Sequence, residues 1–336
     1  MSDSAAAFHH KPYAAFLAAG LASSLLYLSV FLSFAFLLPV QIAFGRSGRR
    51  SGLAAAGIAM AVIVIVQGWR LITAGAFSAG PAGAYALAAG ILPPLVLLGA
   101  LLLMNAPFWQ GWAAPYRILC VTTACALAAL PALVALERDA SIGAYLEERI
   151  SAFLAPLRSA SGDGYEASAL AAALDPKELV AVSIETLRNS YAAIILFIIG
   201  GSWRLGNRLS GPGSRGREET AAIDDLHLPY PLLWAFLASW SLVLGAVLLH
   251  APEAAAAFAW NCALALTLAY AAQGLGIVTH LFKSWNMPRS LRILIAAMAI
   301  IALATLTAGI AVAVILPLFG VTEIWISYRK PKGAGA

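Results

Sequence analysis

Two seven-residue strings carry the polar side chains best suited to recognition: Gln67-Gly68-Trp69-Arg70-Leu71-Ile72-Thr73 and Gln273-Gly274-Leu275-Gly276-Ile277-Val278-Thr279. Both read Q-G-x-x-aliphatic-aliphatic-T inside an apolar run. A Gln carboxamide offers donors and an acceptor together. The Gly beside it lets another backbone or a ligand come close. The chemistry is hydrogen-bonded binding of a small solute, with Gln67, Trp69, Gln273 and His280 as the candidate ligand-binding residues. Two simpler readings stand beside it. The strings match by chance in an Ala- and Leu-rich chain, or each Gln bonds a neighbouring helix.

Proton chemistry has less support. No Asp, Glu or Lys lies near the middle of an apolar run. The nearest ionisable residues are Arg70, His280 and Glu323, all towards run ends, and His250 closes a run beside a short turn. Proton-coupled pumps and intramembrane proteases need such groups at depth. No Walker A loop, GxSxG, HExxH or dinucleotide glycine fingerprint occurs, so no catalytic residue is assigned. Cys120, Cys125 and Cys262 all lie in apolar runs, without a CxxC pair or a metal-ligand spacing. No metal or cofactor is expected.

The elements that hold these residues follow from composition. Hydrophobic residues make up 61% of the chain and charged residues 11%, with a mean hydropathy of +0.84. A soluble domain carries about 25% charged residues. The apolar runs are continuous, not alternating, which selects membrane-spanning helices over a barrel. The expected fold is all-α, a polytopic transmembrane bundle of eight to ten spans.

Tyr13 to Phe44 holds no charge over 32 residues. As one helix it would measure about 48 Å, against a hydrocarbon core of about 30 Å. Pro39 and Gln41 favour a broken run. Further spans are expected at Leu53–Thr73, Tyr85–Met104 (with Pro93 and Pro94 inside), Ile118–Leu136, Tyr191–Gly201, Leu232–Leu249 and Phe258–Phe282. Ile293 to Ile326 is again too long for one crossing, with Gly309 and Pro317 partway along.

Lys and Arg cluster in the gaps: Arg46, Arg49 and Arg50; Arg204, Arg208, Arg215 and Arg217; Lys283, Arg289 and Arg292; and the tail Arg329, Lys330 and Lys332. Positive charge is retained in the cytoplasm. The first three gaps fall on one side by crossing parity, and the tail joins them if the last run crosses twice. The C-terminus is therefore expected in the cytoplasm of a bacterial inner membrane. These gaps are too short for a nucleic-acid surface.

The layout divides into an N-terminal bundle half (1–136), an extracytoplasmic loop (137–189) and a C-terminal bundle half (190–336). The loop holds nine acidic and five basic residues, a net charge of −4, while the rest of the chain sums to +9. Ile142, Leu146, Ile150, Phe153 and Leu157 recur at helical spacing and predict a short amphipathic helix. A Gly/Ser break at Ser159–Gly164 follows. Asp175-Pro176-Lys177-Glu178 then starts a helix, with Asp as N-cap and Pro in its first position, that continues into the span at Tyr191. The loop reads as a lid over a cavity or as a passive cap.

Small residues repeat every four positions in the first helix, at Ala14, Ala18 and Ala22, a pattern that allows close helix packing. The C-terminal end reads Leu318-Phe319-Gly320-Val321-Thr322-Glu323-Ile324-Trp325-Ile326-Ser327-Tyr328-Arg329-Lys330. With Gln273-Gly274, the basic turn at Lys283–Arg292 and the small-residue first helix, this resembles the YybS-like family of uncharacterised bacterial polytopic membrane proteins. Many members carry Asp where Glu323 stands and Phe where Tyr328 stands. That family is distantly similar to the substrate-binding subunits of energy-coupling-factor transporters. The resemblance implies docking on a coupling protein through Ala14, Ala18 and Ala22, and a ligand shielded by 137–189.

The sequence thus points first to a membrane protein that binds or transports a small solute and lacks an ATPase of its own. Its partners would be the lipid bilayer and a transporter coupling module. The alternative is a non-transporting scaffold or regulator of envelope processes, docking an envelope protein through the outer loop or the Arg215-Gly216-Arg217-Glu218-Glu219 stretch. Glu323 and Arg329 are expected to lock the cytoplasmic end of the last helix. Their six-residue separation does not suit an i,i+4 pair, which leaves each open to another partner.

Overall fold

The computed structural model describes residues 12–29, 31–73, 81–109, 111–159, 175–211, 223–303 and 305–329. Among these, all regular structure is helical. Ten α-helices follow one another: α1 (Pro12–Leu28), α2 (Leu37–Thr73), α3 (Pro81–Met104), α4 (Ala114–Arg138), α5 (Ala140–Ser159), α6 (Pro176–Leu209), α7 (Pro231–Leu248), α8 (Glu253–Ser284), α9 (Arg289–Leu303) and α10 (Leu306–Thr322). Six stretches are long and apolar enough to cross a bilayer; they lie in α2, α3, α4, α6, α7 and α8. The helices α1, α9 and α10 are shorter, at 17, 15 and 17 residues. The expected eight to ten spans would be reached only if short helices cross as well. The protein is a helical membrane bundle.

Both long apolar runs are broken, at places the prolines did not mark. The first opens after Leu28 and resumes through a 3-10 turn at Ser33–Ala35. Pro39 falls in the first turn of α2, where the missing N–H has no intrahelical partner to lose. Gly48, at φ 80° and ψ −176°, then breaks the helical path within α2. The last run is interrupted at Thr305, whose extended backbone starts α10, and Pro317 is carried inside that helix. Membrane helices tolerate such prolines when neighbouring groups satisfy the freed carbonyls.

The chain forms two compact units: Met1–Tyr191 with Ile198–Arg217, and Ala192–Phe197 with Glu218–Ala336. In the first, α1 packs on α2, α2 on α3, and α3 on α4. A Cβ on Gly20 would lie 2.8 Å from Ile58, so the two helices meet there without room for a side chain. Ser23 donates to Phe36 O at 2.6 Å and Tyr27 to Gly90 O at 2.9 Å. The packed face of α1 is thus Gly20, Ser23 and Ser24, whereas Ala14 and Ala18 are exposed and Ala22 is half-buried.

Among the described side chains of α5, Leu154 is buried, Ile142, Leu146 and Ile150 are half-buried, and Phe153 is 73% exposed. The expected stripe holds through Ile150 and continues at Leu154 in place of Phe153, while Leu157 lies outside the described side chains. At the start of α6, Asp175 accepts from Lys177 N at 2.9 Å with Pro176 in the first helical position, the cap the sequence indicated. The Gly/Ser break lies outside the described residues beyond Ser159, as does the Arg215–Glu219 stretch.

In the second unit α8 packs between α7 and α10, and α9 packs on α10. Leu233, Tyr270 and Val321 form one core cluster, with Phe236 edge-on to Tyr270 at 5.1 Å, and Val243, Ala259 and Ala263 form another. Two tight turns close its helices. Ala251 N donates to Ala246 O and His250 N to Val247 O; Met287 N donates to Phe282 O and Asn286 N to Lys283 O. Both are Schellman caps, in which the chain must enter the left-handed region. His250 (φ 50°) and Asn286 (φ 51°) occupy it. Asn tolerates this conformation better than His does. His250→Gly is therefore expected to stabilise the protein by about 1 kcal/mol. A rise of roughly 2–4 °C in Tm in detergent, against a fall for His250→Val, would show it.

Candidate functional site

A dense polar cluster of described residues lies in the second unit, where α8, α10 and the segment before α7 meet. Glycines decide the distance. A Cβ on Gly274 would come 1.9 Å from Leu316 O, one on Gly320 2.1 Å from Tyr270 O, and one on Gly276 2.3 Å from Ile223 O. Each obstacle is backbone and cannot step aside, so any side chain would push the elements apart.

That close approach brings Gln273, which is only 4% exposed, within reach of its partners. Its Nε2 donates to Gly320 O at 3.0 Å and to Glu323 Oε2 at 2.8 Å, and its Oε1 accepts from Leu228 N at 2.8 Å. Arg329 turns back onto Glu323, its Nε donating to Oε1 at 2.5 Å and its second guanidinium nitrogen to Oε2. The same guanidinium donates to Asp224 O at 2.6 Å and Leu226 O at 3.0 Å. The Arg329 and Glu323 side chains are 5% and 8% exposed. Lys283 holds the Asp224 carboxylate at 2.6 Å, and His227 Nε2 stands 3.9 Å from Glu323.

The arrangement is a latch. A chain bend after α10 lets the guanidinium reach a carboxylate six residues earlier, which a straight helix would not permit. The bidentate fork matches the carboxylate plane. Its remaining donors take up backbone carbonyls of 224 and 226, fastening that segment to the ends of α8 and α10.

The model of a family described as "Predicted membrane protein (DUF2232)" matches residues 214–315. No curated protein and no solved structure matches this chain. The matched region takes in Asp224, Leu226, Leu228, Gln273 and Lys283 and stops short of Gly320, Glu323 and Arg329.

A second amide cluster sits in the first unit. Gln41 Nε2 donates to Asn207 Oδ1 at 2.5 Å and to Asn105 Oδ1 at 3.2 Å, and Asn105 Nδ2 donates back to Gln41 Oε1 at 2.8 Å. Arg46 donates to Leu209 O and Ser210 O, covering carbonyls at the C-terminal end of α6. Arg117 stacks over the buried Trp203 at 4.6 Å.

Of the residues singled out from the sequence, the structure gathers Gln273, Glu323 and Arg329. Gln67 belongs to the first unit, half-buried with its Nε2 3.0 Å from where a Cβ on Gly90 would stand. Trp69 is 66% exposed and His280 half-buried on α8. The sequence reading missed Asp224, Asn105 and Asn207. Gln41 and Asn207 did carry a signal, since each is an amide beside a basic stretch, and Asn105 closes an apolar run. The backbone acceptors at 224 and 226 carried none.

Removing one member of a buried ion pair strands the other, at a cost of roughly 3–5 kcal/mol, whereas replacing both with apolar groups is near neutral. Arg329→Met should lower Tm in detergent sharply, and Glu323→Leu with Arg329→Met should recover most of the loss.

Proposed function

We propose that this protein works by binding, as a membrane-embedded docking subunit whose second unit presents a fixed surface at one end of its helices. The supporting observation is the closed latch. Gln273 and Arg329 are spent on protein groups, so the strongest polar cluster holds a segment in place and is not arranged to receive a solute. What the latch fixes is the stretch 223–230, with Asp225, His227 and Tyr230 exposed on it. A docking face of this kind fits the scaffold or regulator of envelope processes. We place the protein in the bacterial inner membrane, with the basic turns and the C-terminus cytoplasmic and 137–189 outside. The positive-inside rule supports that assignment.

A second reading rests on the first unit. Gln67 and Trp69 are not part of either polar cluster, and the resemblance to energy-coupling-factor substrate-binding subunits favours a small solute there. In that case Ala14 and Ala18, exposed on α1, would face the coupling protein, and α5 with the rest of the outer loop would shield the solute.

Purification from native membranes in mild detergent, followed by mass spectrometry of bound proteins and metabolites, separates the two. The docking reading predicts a stoichiometric envelope protein that is lost when the exposed face is changed by Asp225→Arg with His227→Glu. A copurifying ATPase with a membrane coupling subunit, or a bound metabolite lost in Gln67→Ala, would replace it with the solute reading.

A further inference from the structure

The turn from α8 into α9 holds cations that no described residue neutralises. In the second unit Arg329 is enclosed by Glu323 and two carbonyls, and Lys283 is paired with Asp224. The Arg289 and Arg292 side chains have neither an ion pair nor a hydrogen bond among the described residues, although Arg292 N donates to Pro288 O within the helix start. They stand three apart on one helix, hence on one face. Arg292 Nε is buried and lacks an acceptor. The first turn of α9 contains no acidic residue. A guanidinium that no described carboxylate or carbonyl engages leaves its outward N–H groups to an oxygen acceptor from elsewhere.

The neighbours define its source. Trp285, exposed and tilted against Phe282 at 6.5 Å, lies between Lys283 and Arg289 in the chain, and Trp325 is exposed just beyond α10. Trp at helix ends beside Lys and Arg marks the level of lipid headgroups. The Schellman cap at Asn286 and Pro288 after it fix the four-residue turn, so the cations and the indole are held in place before anything binds.

We propose that the Lys283–Arg292 turn binds the phosphate of an anionic phospholipid, with Arg289 and Arg292 as the phosphate-binding pair and Trp285 seated at the headgroup–acyl boundary. Lys283 adds field without direct contact, because Asp224 already holds it. The inference is independent of whether the protein docks a partner or a solute, since it uses neither the latch face nor Gln67.

The test uses the full-length protein in mild detergent, with native mass spectrometry against phosphatidylglycerol, phosphatidylcholine and inorganic phosphate. The wild type should retain phosphatidylglycerol at least tenfold better than phosphatidylcholine. Each cation near a lipid surface contributes about fivefold, so Arg289→Gln with Arg292→Gln should weaken binding about 30-fold. Arg289→Lys with Arg292→Lys should stay within about threefold of the wild type, since that contribution follows charge. Equal retention of the two lipids, or full retention by the Gln variant, would overturn the proposal. So would inorganic phosphate binding as tightly as the lipid. The wild-type comparison stands by itself if the Gln variant fails to fold.

Discussion

A polar group buried away from water must find its partner within the protein. The second unit turns on that constraint. Glu323 at the end of α10 is a buried carboxylate, and the chain returns six residues later to supply Arg329. Neither charge would be tolerated alone. Their pairing uses up only part of the guanidinium's donor set, and the surplus is what captures the carbonyls of 224 and 226. The glycines at 274, 276 and 320 serve the same end. They bring backbone to backbone so that Gln273 can bridge the carboxylate to Leu228.

The first unit meets the constraint differently, with neutral groups. Gln41, Asn105 and Asn207 bond one another, and Arg46 covers carbonyls at the end of α6. Neutral amides cost less to bury than charges and give direction to the helix crossings without an ion pair. Gly206 lies under Gln41, where a Cβ would meet it at 2.6 Å. Polar bonding and glycine spacing thus occur together in both units.

Much of this architecture could be read from the chain. Continuous apolar runs between basic gaps led to helices that the structure places close to the expected positions, and Asp175-Pro176 marked a helix start correctly. Helix breaks were harder. Pro39 and Pro317 looked like interruptions and are accommodated, because position within a helix decides what a proline costs. Gly48 breaks α2 within the basic gap expected between two spans, although helix continues on both sides of it. The candidate site was legible only in part. Gln273, Glu323 and Arg329 stood out by type, but what joins them depends on backbone oxygens and on a chain reversal, and neither leaves a pattern in side-chain spacing. Gln67 drew attention through its likeness to Gln273, yet the two lie in different units with different surroundings.

The central claim is that Arg329 holds the 223–228 segment in place. Hydrogen–deuterium exchange of the full-length protein and of Arg329→Met, followed at Leu226 and Leu228, addresses it directly. A lost latch should speed exchange there by tenfold or more, the factor that about 1.4 kcal/mol represents, and leave the first unit's α1 and α2 unchanged. Identical exchange at Leu228 in both proteins would contradict the account.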